Sequence, residues 1–153
     1  YAGSHEQIAK AILKYSANPV LDVINFYELT LFCYLTGNAD MHLKNFSLID
    51  EPSIGYHLSP AYDLLCTAVA NPADKEELAL TLNGRKRKIV LSDFEKAMTK
   101  AHISNKVADS IFTKYVEVYV PAMLKFINTC FLSDEVKQQV KELIQTRSTK
   151  LFS

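Results

Sequence analysis

Glycine is scarce in this sequence, with four residues among 153. These are Gly3, Gly37, Gly55 and Gly84, and their spacing forms neither a G-x-G-x-x-G run nor a Walker pattern. In many nucleotide-binding enzymes such a Gly-rich loop brings backbone N–H groups against the phosphates. An enzyme for nucleotides that uses this chain would therefore need its phosphate-covering loop from another part of the protein.

An excess of one charge sign is also absent, because 17 Lys and Arg residues balance 17 Asp and Glu residues. The formal net charge of zero gives no general reason to expect binding to a polyanion. One basic run, R-K-R-K at residues 85–88, lies at a predicted hairpin turn. We interpret this run as a solvated loop, because it is short and has no basic neighbours in sequence.

Cysteines are few, and the sequence has no long hydrophobic run. Cys33, Cys66 and Cys130 are odd in number, far apart and surrounded by apolar residues, with no C-x-x-C pattern. They predict reduced, buried thiols in a cytoplasmic protein rather than a disulfide framework or a metal site. No apolar stretch reaches the roughly 18 residues of a membrane-spanning helix, so we expect no membrane association.

Helical patterns dominate what is present. Ser4 and Gln7 form a capping box that begins a first helix ending at Tyr15. Dense apolar residues over 21–35 predict a buried central helix. Caps and apolar stripes predict four further helices. The first covers residues 62–70, and the second begins at a capping box of Ser92 and Glu95. The third begins at Asn105 and is kinked at Pro121, and the last begins at Ser133.

Two short hairpins complete the predicted fold. Residues 46–49 and 56–58 flank a turn-rich linker, and residues 77–90 alternate in polarity around Asn83-Gly84, a strong signal for a two-residue turn. The hydrophobic content of 48% and charged content of 22% are ordinary for a globular protein. The sequence thus predicts one domain over residues 1–153 that is mainly α with two small β-hairpins.

The densest group of polar side chains follows the predicted central helix, in T-G-N-A-D-M-H-L-K-N-F-S at residues 36–47. Asp40 precedes Asn45 by five residues, which is the D-x-x-x-x-N spacing of a kinase catalytic loop. In such a loop the acid positions the substrate hydroxyl or accepts its proton, and the amide oxygen faces magnesium. Asp63 follows beyond the first predicted hairpin, where a second metal-binding acid is expected. The pattern predicts Asp40 as the catalytic carboxylate and Asn45 with Asp63 as magnesium ligands.

His42 and Lys44 lie in the same loop and are predicted to contribute to cofactor binding. Lys44 could approach the transferred phosphoryl group or fix Asp40 by a charge-assisted hydrogen bond, and a solvated lysine is the alternative. His42 is expected to brace the loop rather than to transfer protons. Asp40 and Asp63 could also be ordinary turn acids beside Gly and Pro. A zinc site that adds His57 is disfavoured, since no pair has compact zinc-ligand spacing.

The two motifs together resemble the C-terminal lobe of HipA-type serine/threonine kinases, the toxin halves of bacterial toxin–antitoxin pairs. The family pattern G-x-x-D-x-H-x-K-N-F-S is met at residues 37–47, and Y-x-L-[TS]-P-x-Y-D is met at residues 56–63. A similar S-x-E-x-I-A-x-x-I segment leads into this lobe, and Ser4, Ile8 and Ile12 match it here.

The resemblance implies a protein-kinase-like C-lobe that transfers the γ-phosphate of ATP, with Mg²⁺, to a serine or threonine hydroxyl of a protein. It also implies an aminoacyl-tRNA synthetase as target and a small helix-turn-helix antitoxin as partner, with DNA contacted only through the antitoxin. Only residues 1–35, predicted to be helical, precede the catalytic loop, and the chain opens at Tyr1 rather than Met. We therefore expect the N-terminal lobe that grips ATP to be absent from this chain, and the chain alone to be inactive.

Two alternatives remain at this stage. Aminoglycoside- and choline-kinase-like enzymes carry a similar G-D-x-H-x-x-N loop, although their second Asp usually ends an apolar I-D-[FW] strand, unlike L-S-P-A-Y-D at residues 58–63. The other alternative is a non-catalytic kinase-like lobe that acts as a protein-interaction module. Intact Asp40, Asn45 and Asp63 speak against that module, because binding alone needs no metal ligands.

Overall fold

The computed structural model of the protein describes residues 2–153, and helices account for most of them. Two helices precede a 3₁₀ turn, a single antiparallel hairpin follows, and five further helices complete this part of the chain. The elements in order are α1 (His5–Tyr15), α2 (Pro19–Thr36), the 3₁₀ turn (Leu43–Asn45), β1 (Leu48–Glu51), β2 (Gly55–Leu58), α3 (Thr67–Ala70), α4 (Leu91–Lys100), α5 (Asn105–Lys114), α6 (Val120–Ile127) and α7 (Asp134–Phe152).

The first two helices form as their sequences predict. The Ser4 hydroxyl accepts the Gln7 N–H at 3.2 Å, and the Gln7 side chain accepts the Ser4 N–H at 3.0 Å, so the capping box of α1 is confirmed. Helix α2 begins at Pro19, a position where the missing N–H of proline costs nothing. Phe26 and Tyr34 on α2 are 0% exposed. Because α1, β2 and α7 all pack against it, α2 is the central helix of the domain.

The start of α4 differs from its prediction. The helix begins at Leu91 and its N-cap residue is Val90, so the capping box of Ser92 and Glu95 is wrong. Asp93 decides the start, because its Oδ2 accepts the Val90 N–H at 3.1 Å while its Oδ1 accepts the amide of Asn83 at 2.9 Å. The helix boundary is thus set by a buried carboxylate with a partner ten residues upstream.

The helical region around Pro121 is continuous. A π-helical segment (Tyr115–Tyr119) joins α5 to α6, and Pro121 is the second residue of α6. The wider π turn is a common way to absorb a disturbance of the α-helical hydrogen-bond ladder. The Tyr115 hydroxyl donates to the carbonyl of Glu28 on α2 at 2.7 Å, which fixes this segment to the core. Helix α7 begins after Ser133, whose hydroxyl caps Val136, as predicted.

Only the first of the two predicted hairpins is a regular ladder in the described chain. Strands β1 and β2 pair in the register from Leu48↔Leu58 to Glu51↔Gly55. In residues 77–90 the Asn83-Gly84 turn is confirmed, since both residues have positive φ (48° and 81°) as a type I′ turn requires. The flanking residues form isolated bridges instead of strands. The mainly α class is confirmed, and the second hairpin is corrected to an irregular segment in which Leu78, Leu80, Leu82 and Ile89 are buried.

The predicted helix over residues 62–70 is reduced to one turn, α3. The residues before it remain extended or in loops, and Asp63 has a φ of 54°. This left-handed conformation is incompatible with a helix through that position. The chain between β2 and α3 is thus a loop that presents Asp63.

Three smaller predictions concern cysteines, charge and membranes. All three cysteines are free thiols; Cys33 is buried, and burial raises its pKa to about 12, whereas Cys66 and Cys130 are only half-buried. The basic run at residues 85–88 is confirmed as a largely exposed turn, in which Lys86 pairs with Glu76 at 3.4 Å. Within residues 2–153, the helices are too short or too polar to cross a bilayer.

Candidate active site

The polar loop begins where α2 ends, at Gly37. This residue has a φ of 77°, the left-handed conformation that commonly terminates helices. A Cβ at this position would lie 2.5 Å from Leu143 of α7 and 2.9 Å from Ala68 of α3. Both conformation and space therefore require glycine, and the loop starts inside a close contact of three helices.

Successive backbone hydrogen bonds fold residues 38–45 into a compact turn. The side chain of buried Asn38 accepts the Asp40 N–H at 3.1 Å. The Asp40 carbonyl accepts the His42 N–H at 2.8 Å, and the His42 carbonyl accepts the Asn45 N–H at 2.9 Å. The main chain of His42 thus braces the loop on both sides. The side chain of Lys44 is exposed on its outer surface.

Asn45 and Asp63 are in direct contact. The Asn45 amide nitrogen donates to Asp63 Oδ2 at 3.0 Å and also lies 3.4 Å from the Asp40 carbonyl oxygen. Asn45 is 6% exposed, whereas Asp63 is exposed and Asp40 is half-buried. The fold therefore brings the three residues together from two segments 18 positions apart. The Asn45 amide is buried, whereas the Asp63 carboxylate is open to solvent.

A set of hydrogen bonds attaches the segment around Asp63 to the polar loop. The Tyr62 hydroxyl donates to the Lys44 carbonyl at 3.0 Å, and the Ser59 N–H donates to the Ser47 carbonyl at 2.9 Å. The positive φ of Asp63 is uncommon for a residue other than glycine, and such strained positions concentrate at functional sites. These bonds hold Asp63 in place at the cost of that strain.

Two residues that support the site were missed from the sequence. Thr67 bonds to the backbone on either side of Asn38, accepting the Ala39 N–H at 2.8 Å and donating to the Gly37 carbonyl at 3.1 Å. No spacing rule links a threonine to a loop 28 residues upstream. Asp22, in the first turn of α2, is only 6% exposed and accepts the Leu58 N–H at 2.7 Å. Asp22 thereby fastens β2 to the first turn of α2.

The last helix supports the carboxyl end of α2. The guanidinium of Arg147 on α7 donates to the carbonyl of Tyr34, and its Cζ lies 5.2 Å from the centre of the Tyr34 ring. Burial lowers the pKa of Arg147. A cation at this position gives a carbonyl at the helix end a charged donor and complements the helix dipole.

The donor set at the site suits magnesium better than zinc. Zinc sites in proteins usually have three or four nitrogen or sulfur ligands. In residues 2–153 no three His, Cys, Asp or Glu side chains converge to hold a metal ion, and His57 instead faces Glu51 at 3.9 Å. Magnesium commonly takes one or two carboxylates and completes its shell with waters and substrate phosphates. Asn45 and the open carboxylate of Asp63 fit that requirement.

Comparison with known proteins identifies the family to which this fold and site belong. The family model described as "HipA-like C-terminal domain" matches residues 1–123, and the chain belongs to this family.

Individual relatives carry kinase names. The protein named "Putative kinase Y4dM" of Sinorhizobium fredii is 39% identical over 98 residues, which are 63% of this chain and 24% of that protein. A "Putative kinase" of Haemophilus influenzae is 39% identical over 62 residues, 40% of this chain and 18% of that protein. The matched residues thus span less than a quarter of the length of these relatives.

A solved structure has the same fold. One chain in the complex of HipA, HipB and operator DNA from the Shewanella oneidensis MR-1 toxin–antitoxin system matches with a TM-score of 0.82 and 22% identity. The match covers 97% of this chain and 36% of the other. At this identity the likeness establishes the fold, which includes α7 as well as the residues matched by the family model.

Proposed function

We propose that this chain is the catalytic lobe of a HipA-like protein kinase, which transfers the γ-phosphate of ATP to a serine or threonine hydroxyl of a protein. The observation that supports it most strongly is the 3.0 Å contact of Asn45 with Asp63 beside the loop that carries Asp40. Phosphoryl transfer depends mainly on positioning and on electrostatic stabilisation. A preformed contact between an amide and a carboxylate from two segments, with the amide also next to the main chain of Asp40, supports such positioning.

Each residue has a distinct role in this proposal. The carboxylate of Asp40 positions the acceptor hydroxyl and receives its proton. Asn45 and Asp63 would hold Mg²⁺, which neutralises phosphate charge when bound. The exposed amine of Lys44 is free to reach toward a transferred phosphoryl group, while His42 keeps the loop folded through its main chain.

Burial divides these roles between a fixed part and an accessible part. Asn45 is buried and held by three neighbours, the Asp40 carbonyl, the Met41 sulfur and Asp63. Asp63 and Lys44 are exposed and therefore accessible to a nucleotide. Since the chain spans a minor part of its relatives, we assign the grip on ATP to the remainder of the full-length protein.

The partners follow from the same comparison. The structural neighbour is a complex of HipA, HipB and operator DNA, so we propose an antitoxin as partner and DNA contact through that antitoxin. The protein target, for which an aminoacyl-tRNA synthetase is our proposal, would present its hydroxyl to Asp40. These assignments apply to the full-length protein.

The test is phosphoryl transfer from γ-labelled ATP by the full-length protein and by Asp40→Asn and Asp63→Asn variants. We expect label on protein, and a loss of about 10²-fold or more in both variants, the usual size of such contributions. Asp50→Asn, an exposed acid on β1, is the matched control and should retain activity. Absence of label in the wild type, with antitoxin still bound, would establish the interaction module instead. Label transferred to an aminoglycoside or choline, and not to protein, would favour the small-molecule kinase.

A further inference from the structure

The side chain of Thr67 joins the segment of Asp63 to the loop of Asp40. Thr67 begins α3, four residues after Asp63, and its hydroxyl lies between two backbone groups of the loop. It accepts the N–H of Ala39 at 2.8 Å and donates to the carbonyl of Gly37 at 3.1 Å. Ala39 is the residue directly before Asp40.

This hydroxyl is not easily replaced by water. Ala39 is 8% exposed, and its N–H has the Thr67 oxygen as hydrogen-bond acceptor. Removing that acceptor leaves a buried donor without a partner, which favours a different backbone position. A second bond, from the Ala68 N–H to the Gly37 carbonyl at 3.0 Å, would remain. The loop would therefore stay attached to α3 at Gly37, while the Ala39 N–H, next to Asp40, would lose its acceptor.

The two segments are consequently joined by several bonds. Asn45 contacts Asp63, the Tyr62 hydroxyl donates to the Lys44 carbonyl, and Thr67 accepts the Ala39 N–H. Of these three bonds, only the one made by Thr67 holds the residue directly before Asp40. A displacement of about 1 Å at a reacting group is enough to reduce a rate by about 10²-fold.

We infer that Thr67 is a positioning residue for phosphoryl transfer, which sets the place of Asp40 relative to Asn45 and Asp63 through the Ala39 N–H. The inference rests on the proposed function. Thr67 touches no reacting atom, so its loss affects the turnover step rather than nucleotide binding.

The experiment measures kcat and KM for ATP in the full-length protein and three variants. Thr67→Val keeps the shape and removes the hydroxyl, Thr67→Ser keeps the hydroxyl, and Thr30→Val is the control. Thr30 is 1% exposed and donates to the Phe26 carbonyl within α2 at 2.9 Å, so the control removes a buried hydroxyl that does not join the two segments. We expect Thr67→Val to lower kcat about 10-fold to 100-fold with KM changed less than about twofold, and the other two variants to stay within about threefold of wild type.

Different results overturn different statements. Wild-type kcat in Thr67→Val, or equal losses in Thr67→Val and Thr67→Ser, would refute the positioning role while the proposed function stands. No phosphoryl transfer by the wild type would refute both. If Thr67→Val does not fold, Thr67→Cys provides the second variant, because a thiol is a weaker hydrogen-bonding group of similar size. An intermediate kcat with unchanged KM is then expected, and wild-type kcat would refute the inference.

Discussion

The two segments with hairpin signals differ in regularity and in burial. Residues 48–58 form regular strands that are largely exposed, whereas residues 77–90 are irregular but bury their leucines. In the first, β1 and β2 form a complete ladder, yet Ile49 and Tyr56 are 42% and 50% exposed. In the second there is no ladder beyond the turn, yet Leu78 and Leu80 are 1% and 0% exposed. The alternating apolar residues of the second segment are therefore buried, but they do not form the regular strands that their pattern predicted.

The backbone partners explain the difference. In the first segment the two strands satisfy each other, as antiparallel strands do. In the second, Thr81 exchanges hydrogen bonds with Gly3 and His5 at the start of α1, and the Ile89 N–H donates to the side chain of Glu77 at 2.7 Å. Buried backbone groups need partners of some kind, and these need not lie in a sheet.

The difference also matters for the site. The exposed hairpin is the connection between Asn45 and Asp63, and few contacts attach it to the helices. Among these, Asp22 accepts the Leu58 N–H, and the Ala17 N–H donates to the Tyr56 carbonyl at 2.7 Å. The buried segment contributes to the core instead. Three predictions separate the two contributions.

The largest expected effect comes from truncating the buried segment. Leu80→Ala should lower the free energy of unfolding by about 2–5 kcal/mol, because it leaves a cavity at a fully buried position. Ile49→Ala in the exposed hairpin should cost less than about 0.5 kcal/mol, as surface substitutions usually do. Chemical denaturation of both variants provides the measurement. Equal costs would contradict the division into buried and exposed segments.

The second effect depends on pH and again concerns the buried segment. The ring of His5 is 1% exposed and its Nδ1 lies 3.1 Å from the Thr81 carbonyl oxygen. Burial lowers the pKa of His5 from 6.5 to about 4, so as pH falls between these values the unfolded chain binds a proton that the folded chain does not. Stability should therefore fall by about 3 kcal/mol on acidification across this range.

The matched comparison uses His5→Gln, which keeps a hydrogen-bond donor but does not titrate. Denaturation at several pH values should show a weaker pH dependence for His5→Gln than for wild type. A wild-type slope in His5→Gln would rule out His5 as its source.

The smallest of the three effects concerns the attachment of the exposed hairpin. Asp22→Ala removes the acceptor of the Leu58 N–H and of the Ser16 hydroxyl, which lies 2.6 Å away. We expect a loss of about 1.5–3 kcal/mol, the range for hydrogen bonds to a charged group, and faster amide exchange at Leu58. Asp50→Ala removes an exposed acid from the hairpin itself and is the control. Unchanged exchange at Leu58 in Asp22→Ala would show that other contacts hold β2.

Structural features that depend only on neighbouring residues could be predicted from the sequence. The capping box of Ser4 and Gln7, the turn at Asn83-Gly84 and the cap at Ser133 each depend on residues within three positions. The approach of Asn45 to Asp63 was also foreseeable, because a short loop and a hairpin leave little freedom to the chain between them. The chemical roles of these residues remain predictions.

Features with distant causes could not be predicted. Asp93 replaced Ser92 and Glu95 in starting α4 because Asn83 holds its carboxylate in the interior. Thr67 reaches a loop 28 residues away, and a single sequence carries no pattern for that distance. The helix expected over residues 62–70 forms only at Thr67–Ala70, because the residues before it form the strained loop that presents Asp63.

The contact of Arg147 with Tyr34 also imposes an order in time. The two residues lie 113 positions apart, so Tyr34 and the polar loop after it are synthesised well before Arg147 exists. At translation rates of about 5–20 residues per second, that interval is roughly 5–20 seconds. During this period a nascent chain carries every residue of the motif while the Tyr34 carbonyl lacks its guanidinium partner. Completion of the last helix, which lies beyond the residues matched by the family model, thus marks the moment when the loop receives its full support.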